Sequence, residues 1–261
     1  MIKHLLASLA ASLLFLCGCS KPSNGLKVAA TAVPHAQMLE FIKPDLKAQG
    51  INLLIIVTDD YNMPNRALAQ KEVDANFFQH VPFLDEQIRQ FHYRIQNFGA
   101  IEIEPMGIYS KKISSLSDLK NKAVIAVPND PSNEARALLL LQAQGLITLD
   151  HPKNLNATIA NIKSNPKQLK FIEVDAAMLP RSLPDVDAAV INTNYALEAK
   201  LNPLTDALAL EGKDSPYANI LAIRTGDEDR PDLIALKAAM TSDKMRDFIE
   251  KTYKGAVLPA F

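Results

Sequence analysis

Apolar and polar positions along this 261-residue chain fall into two alternating periods. Compact apolar runs such as "LKVAAT" (26–31), "INLLIIVT" (51–58), "AVIAV" (123–127) and "ANILAIRT" (218–225) have the length and β-branched content of strands. Between them lie segments with helical spacing: "PHAQMLEFIKPDLKAQ" opening at Pro34, "MPNRALAQKE" with Pro64 near its start, and "VPFLDEQIRQF". "INLLIIVT" holds a continuous apolar run from Leu53 to Val57, which predicts a buried strand, and "GAIEIEPMGIYS" returns to alternation. The stretch 115–145 reads as a short capped helix, a strand, a Pro/Asn/Asp turn and a helix closed by Gly145. "KFIEVD", "AAMLPRSL", "VDAAVINT" and "NYALEAKL" repeat strand and helix, and two helices from Pro231 to about Tyr253 end the pattern. This alternation predicts an α/β fold with parallel-rich sheets flanked by helices.

Strand–helix units run to about Tyr109, restart at residue 115, and are followed by a late strand at 218. A chain that leaves one lobe, builds a second and returns gives this order. So does one doubly wound sheet, and periodicity does not separate the two.

The first residues differ from the rest. Lys3 precedes an apolar run from Leu5 to Leu16, shorter than the roughly 20 residues a membrane-spanning helix needs. That is the form of a secretory signal peptide, residues 1–18. "Leu16-Cys17-Gly18-Cys19" resembles a bacterial lipobox, which implies cleavage before Cys19, a thioether-linked diacylglycerol on its sulfur and acylation of the new amino terminus. Each buried methylene contributes about 0.8 kcal/mol, so several chains anchor a protein stably. Residues 19–25 then form the lipidated Cys and a polar tether, "SKPSNG". The anchor predicts a protein held at the bacterial cell membrane and facing the periplasm or exterior. Ser20 after Cys19 points to the outer membrane if the source is Gram-negative.

Both cysteines, Cys17 and Cys19, lie in this region, so the mature domain has neither a free thiol nor a disulfide. Removing Lys3 takes the formal charge from −1 to −2, and no basic field is available for nucleic acid. No G-x-S-x-G occurs, and the Ser and Thr residues sit in caps, turns and helices, so a hydrolase is not indicated.

Six stretches carry a more specific signal: "VPHAQMLEFIKP", "DDYNMPNRAL", "VDANFFQHVPFL", the run 115–142, "AAVINTNYAL" and "SPYANIL". In this order they resemble the NlpA family of bacterial lipoproteins, from about Leu26 to Phe261. The resemblance implies a bilobed, type II periplasmic-binding-protein fold. It places residues 26–108 and 219–261 in one lobe and 109–218 in the other. It also implies capture of L-methionine or a similar small amino acid between the lobes, delivery to the permease and ATPase subunits of an ABC importer, no catalysis and no cofactor. Another small amino acid, a short peptide, or a surface interaction role on the same scaffold remain open.

A buried zwitterion needs a cation for its carboxylate and acceptors for its ammonium. Arg136, just inside the helix after "PNDPSNEA", offers a planar two-pronged fork, the use the resemblance implies. Asn133 lies nearly one turn back on the same face, where it either contacts the ligand or caps the helix. Asn194 follows a strand end, where such folds bind ligands, with Asn192 beside it as a turn former. Asn219 starts the returning strand, and its amide oxygen can accept from the ammonium. Tyr61, Phe78, His80 and Phe83 are expected to line a slot for the thioether, with His80 as pocket wall rather than base or metal ligand. The family usually has Tyr where this chain has Phe83, and "GxID" where it has "KEVD", so ligand choice is open at that wall. His35 is read as a structural residue at a helix start.

Overall fold

The computed structural model describes residues 25–212 and 215–261; the expected signal peptide, Cys19 and the tether through Asn24 lie outside them. The first run of elements is β1 (Leu26–Thr31), α1 (Gln37–Ala48), β2 (Leu53–Thr58), α2 (Met63–Ala69), β3 (Ala75–His80), α3 (Val81–Phe91) and β4 (Ile95–Ile103). The second is β5 (Gly107–Tyr109), β6 (Val124–Pro128), α4 (Pro131–Ala143), β7 (Thr148–Leu149), β8 (Ile162–Ser164), β9 (Lys170–Val174), α5 (Leu179–Ser182), β10 (Ala188–Ile191), α6 (Thr193–Glu198), α7 (Pro203–Asp206) and β11 (Ala209–Leu210). The chain closes with β12 (Ala218–Arg224), α8 (Pro231–Met240), α9 (Asp243–Tyr253) and β13 (Leu258–Pro259).

These strands build two mixed sheets. One has the order β13-β4-β12-β3-β1-β2, the other β11-β5-β10-β6-β9, and β7 pairs with β8 alone. Parallel pairing joins β3, β1 and β2 in the first, and β10, β6 and β9 in the second. The returning strand β12 enters antiparallel between β3 and β4. The chain therefore passes between the sheets twice, after Ile103 and before Ala218. Both passages end beside the cavity described below.

Alternation assigns each sheet two buried faces. Val28 and Ala30 face α1, α8 and α9, while Ala29 between them faces the side of α2 and α3. In the second sheet Ile125 and Val127 pack toward α4, and Ala126 faces the layer of Leu179 and Tyr195. Among the described residues no helix is long and apolar enough to cross a membrane.

One expectation is corrected. The apolar run of β2 is an edge strand, with Ile56 39% and Val57 53% exposed, because the crossover through α1 sets it outside β1. Helical backbone opens at Pro34, as expected, and runs on into α1: Val33 before it is extended (φ −133°, ψ 133°), the conformation favoured before proline.

Candidate functional site

Strand β3 carries the largest share of the site and owes it to an irregularity. Opposite β12, Gln79 pairs with Ile220 but Phe77 pairs with Leu221, so the register skips Phe78. Such a bulge re-aims the residues around it. Phe78, Gln79 and His80 all reach one cavity, which strict alternation would forbid. The same shift lets Asn76 and Gln79 meet. Gln79 Nε2 donates to Asn76 Oδ1 (2.9 Å) and Asn65 Oδ1 (2.6 Å), and Asn65 Nδ2 donates back to Gln79 Oε1 (2.7 Å). This closed amide network stiffens the strand beneath the cavity.

The cavity is a narrow slot between the two sheets. All eight ligand-contact candidates line it: Tyr61, Phe78, His80, Phe83, Asn133, Arg136, Asn194 and Asn219. Gln79, Glu104, Asn192 and Thr193 complete the wall.

Its apolar end is a triangle of rings. Tyr61, Phe78 and Phe83 have centroids 5.7–5.8 Å apart, with Phe78 and Phe83 at 82°. Edge-to-face rings at this spacing suit their quadrupoles and leave edges to a polarizable sulfur. Burial pushes the Tyr61 phenol well above its usual value, so it stays a donor.

His80 ends β3 and caps α3. Its Nδ1 accepts from the Phe83 N–H (3.2 Å), which places the ring proton on Nε2, 3.1 Å from Asn133 Oδ1. Burial, and then the positive charge of Arg136, lower its pKa to about 3. The imidazole is therefore a neutral donor at the cavity wall.

Helix α4 supplies the polar end. Asp130, not Asn133, is its N-cap, accepting from the Asn133 N–H at 3.0 Å. Asn133 Nδ2 also donates to both Asp130 oxygens (3.0 Å), which turns Oδ1 toward His80 and toward Asn192 Nδ2 (2.8 Å). Asn192 is thus part of the wall rather than only a turn former. One turn further on, Arg136 is 3% exposed, with its fork engaged inside the protein. Nε donates to Glu211 Oε1 and Oε2 (3.2 and 3.1 Å), and Nη2 to Glu211 Oε2 (2.5 Å) and the Glu104 carbonyl (2.7 Å). The guanidinium also lies over the Tyr217 ring, 4.5 Å from its centroid. Glu211 and Tyr217 lie 75 and 81 residues downstream of Arg136, so local spacing around Arg136 carries no sign of them.

Asn194, in the first turn of α6, accepts from Tyr61 Oη at 2.6 Å. Its Nδ2 is buried without a partner among the described residues, as is Asn192 Oδ1. Asn219 Nδ2 donates to Glu102 Oε1 (2.8 Å) and Glu104 Oε1 (3.2 Å). His35 lies behind them, 1% exposed, with Nε2 3.3 and 3.2 Å from the same two carboxylate oxygens and Nδ1 2.6 Å from Thr31 Oγ1. His35 is therefore more than a residue at a helix start. Burial and the neighbouring Glu102 raise the Glu104 pKa well above the carboxylate range. The ligand-capable atoms of His35, Glu102 and Glu104 lie within 4.8 Å of one another, the one grouping among the described residues that could hold a metal ion.

One wall of the slot is thus apolar and polarizable. The other carries a buried cation, two amide groups with unpaired atoms and the Glu104 carboxyl group. Residues 26–261 match the NlpA lipoprotein family. The methionine-binding lipoprotein MetQ of Bacillus subtilis (strain 168) is 44% identical over 247 residues, 93% of this chain and 90% of that protein. The D-methionine-binding lipoprotein MetQ of Escherichia coli (strain K12) is 40% identical over 201 residues, 75% of this chain and 74% of that one. A nutrient-binding protein from Burkholderia cenocepacia, solved bound to methionine, superposes with a TM-score of 0.87 at 49% identity, covering 90% of this chain and 100% of that one.

Proposed function

The chain belongs to the NlpA lipoprotein family, and from that premise we propose that it captures free methionine between its two sheets for an ABC importer. The observation that carries this reading is the cavity itself, one narrow slot with an aromatic triangle at one end and Arg136 with unpaired amide atoms at the other. An amino acid with an unbranched thioether has that distribution of chemistry. The carboxylate is assigned to Arg136 with Asn194, the ammonium to Asn219 and Glu104, and the sulfur to Tyr61, Phe78, His80 and Phe83. Glu211 holds the Arg136 fork from the far side, so the ligand meets an already oriented guanidinium. The protein is a transport component, not an enzyme.

The lobes on this reading are residues 26–108 with 219–261, and 109–218, closing on the ligand about the two passages between the sheets. Cys19 carries the lipid, the domain faces the periplasm or exterior, and permease and ATPase subunits receive the methionine. Mass spectrometry of the small molecule released on denaturing freshly purified protein, followed by titration of the stripped protein with each enantiomer of methionine, tests the reading. Release of a different compound, with no heat of binding for either enantiomer, overturns it.

A further inference from the structure

Asn219 lies on β12 between two strands, opposite His80 on β3 and Glu102 on β4. An asparagine amide can be turned by half a revolution, exchanging its oxygen and nitrogen, at little steric cost. Here the two ends are not equivalent. Nδ2 lies 2.8 Å from Glu102 Oε1 and 3.2 Å from Glu104 Oε1, and it has two protons to give them. The reverse orientation would set Oδ1 against the Glu102 carboxylate oxygen in a site closed to water. Both carboxylates are in turn held by His35 Nε2, and Thr31 fixes the other ring nitrogen. Glu102 is wholly buried, and its second oxygen, Oε2, has no partner among the described residues. A carboxylate oxygen left unpaired in that position is costly.

We propose that Glu102 and His35, neither of which lines the cavity, are positioning residues that lock the Asn219 amide with Oδ1 toward the ligand, and so set selectivity for a free α-amine. The inference rests on the reading of the cavity as an amino-acid site. With its N–H bonds turned to the cluster of Glu102, Glu104 and His35, the only end Asn219 offers the cavity is an acceptor. Those bonds also polarise the amide and strengthen the acceptor. A ligand ammonium gains from this arrangement, and a ligand with a methylene in its place does not.

The test compares methionine with its desamino analogue, 4-(methylsulfanyl)butanoate, in competition titrations of the intact mature domain. In Glu102→Gln either end of the new amide can face Asn219, so the lock is released. Methionine binding then weakens by about tenfold while the analogue changes less than about twofold. His35→Gln, which keeps a donor for the carboxylates, retains the wild-type ratio of the two affinities, and His35→Leu loses it. Melting curves confirm that each variant is folded. A Glu102→Gln variant that weakens both ligands by the same factor makes Glu102 a structural residue and overturns the inference, as does one that changes neither. Wild-type protein that binds no methionine overturns instead the reading on which the inference rests.

Discussion

Tyr61 Oη donates to Asn194 Oδ1 over 2.6 Å, joining the segment after β2 of one sheet to the first turn of α6 on the other. The bond fixes which end of the Asn194 amide is turned away from Tyr61, leaving the unpaired Nδ2 to the cavity. Tyr61→Phe keeps the ring in the aromatic triangle and removes only this bond. Methionine affinity is expected to fall about fivefold, the scale of one hydrogen bond of about 1 kcal/mol. Titration calorimetry on wild type and variant gives the comparison; equal dissociation constants would show that the contact does not set the amide.

Arg136 is the one buried cation of the slot, so Arg136→Ala is expected to weaken methionine binding by at least tenfold, about 1.4 kcal/mol. Lys would rescue poorly, because it cannot present Nε and Nη2 together to Glu211 while serving a ligand. The Ala variant also leaves Glu211 unpaired, so affinity must be read beside the melting temperature. Near-wild-type affinity in a folded Ala variant would remove Arg136 from the site.

The course of the chain was largely legible in its sequence, and the reasons are local. "VPFLDEQIRQF" has helical spacing and a proline in its first turn, and it is α3 from end to end. Long-range placement was less legible. The apolar run of β2 carries no mark that its outer edge would face solvent. At the site, eight residues chosen by motif and ligand chemistry share one cavity, but the residues that hold them were missed. Glu211 and Tyr217 reach Arg136 only through the tertiary fold. Glu102 and Glu104 had a usable signal: in "IEIEP" two glutamates alternate with isoleucines, so both fall on one face of β4 and its continuation. In a chain expected to hold an ammonium, that pair could have been named.

The lipid anchor rests on residues outside the described structure. Cys19→Ala removes the acceptor for the diacylglycerol and, with it, cleavage at that site. The variant is expected as an unprocessed or soluble species in place of a detergent-extracted one, read by mass and by membrane fractionation. Processing and partitioning identical to wild type would show that "Leu16-Cys17-Gly18-Cys19" is not used.

His80 makes a prediction about acid. Its Nδ1 is occupied by the Phe83 N–H and its Nε2 proton by Asn133, so a second proton has no acceptor and meets the charge of Arg136. The folded pKa is lowered to about 3 from 6.5, which means the unfolded chain takes up this proton first as pH falls. The stability held by neutral His80 is therefore complete above about pH 6.5 and is lost as pH falls toward about 3, at up to about 1.4 kcal/mol per pH unit. Glu104 works in the opposite sense. Its raised pKa favours the fold on acidification and weakens it as pH rises through the range above that of an ordinary carboxylate. Comparing wild type with His80→Asn cancels that contribution. Asn retains an acceptor for the cap of α3 but not the reach to Asn133. The variant should fold, bind methionine about 1–2 kcal/mol more weakly, and lose less stability than wild type between pH 6 and 4. Parallel stability curves across that interval would show that His80 is not held neutral by its surroundings. Unchanged methionine affinity, with melting much earlier, would make it a core histidine rather than part of the cavity wall.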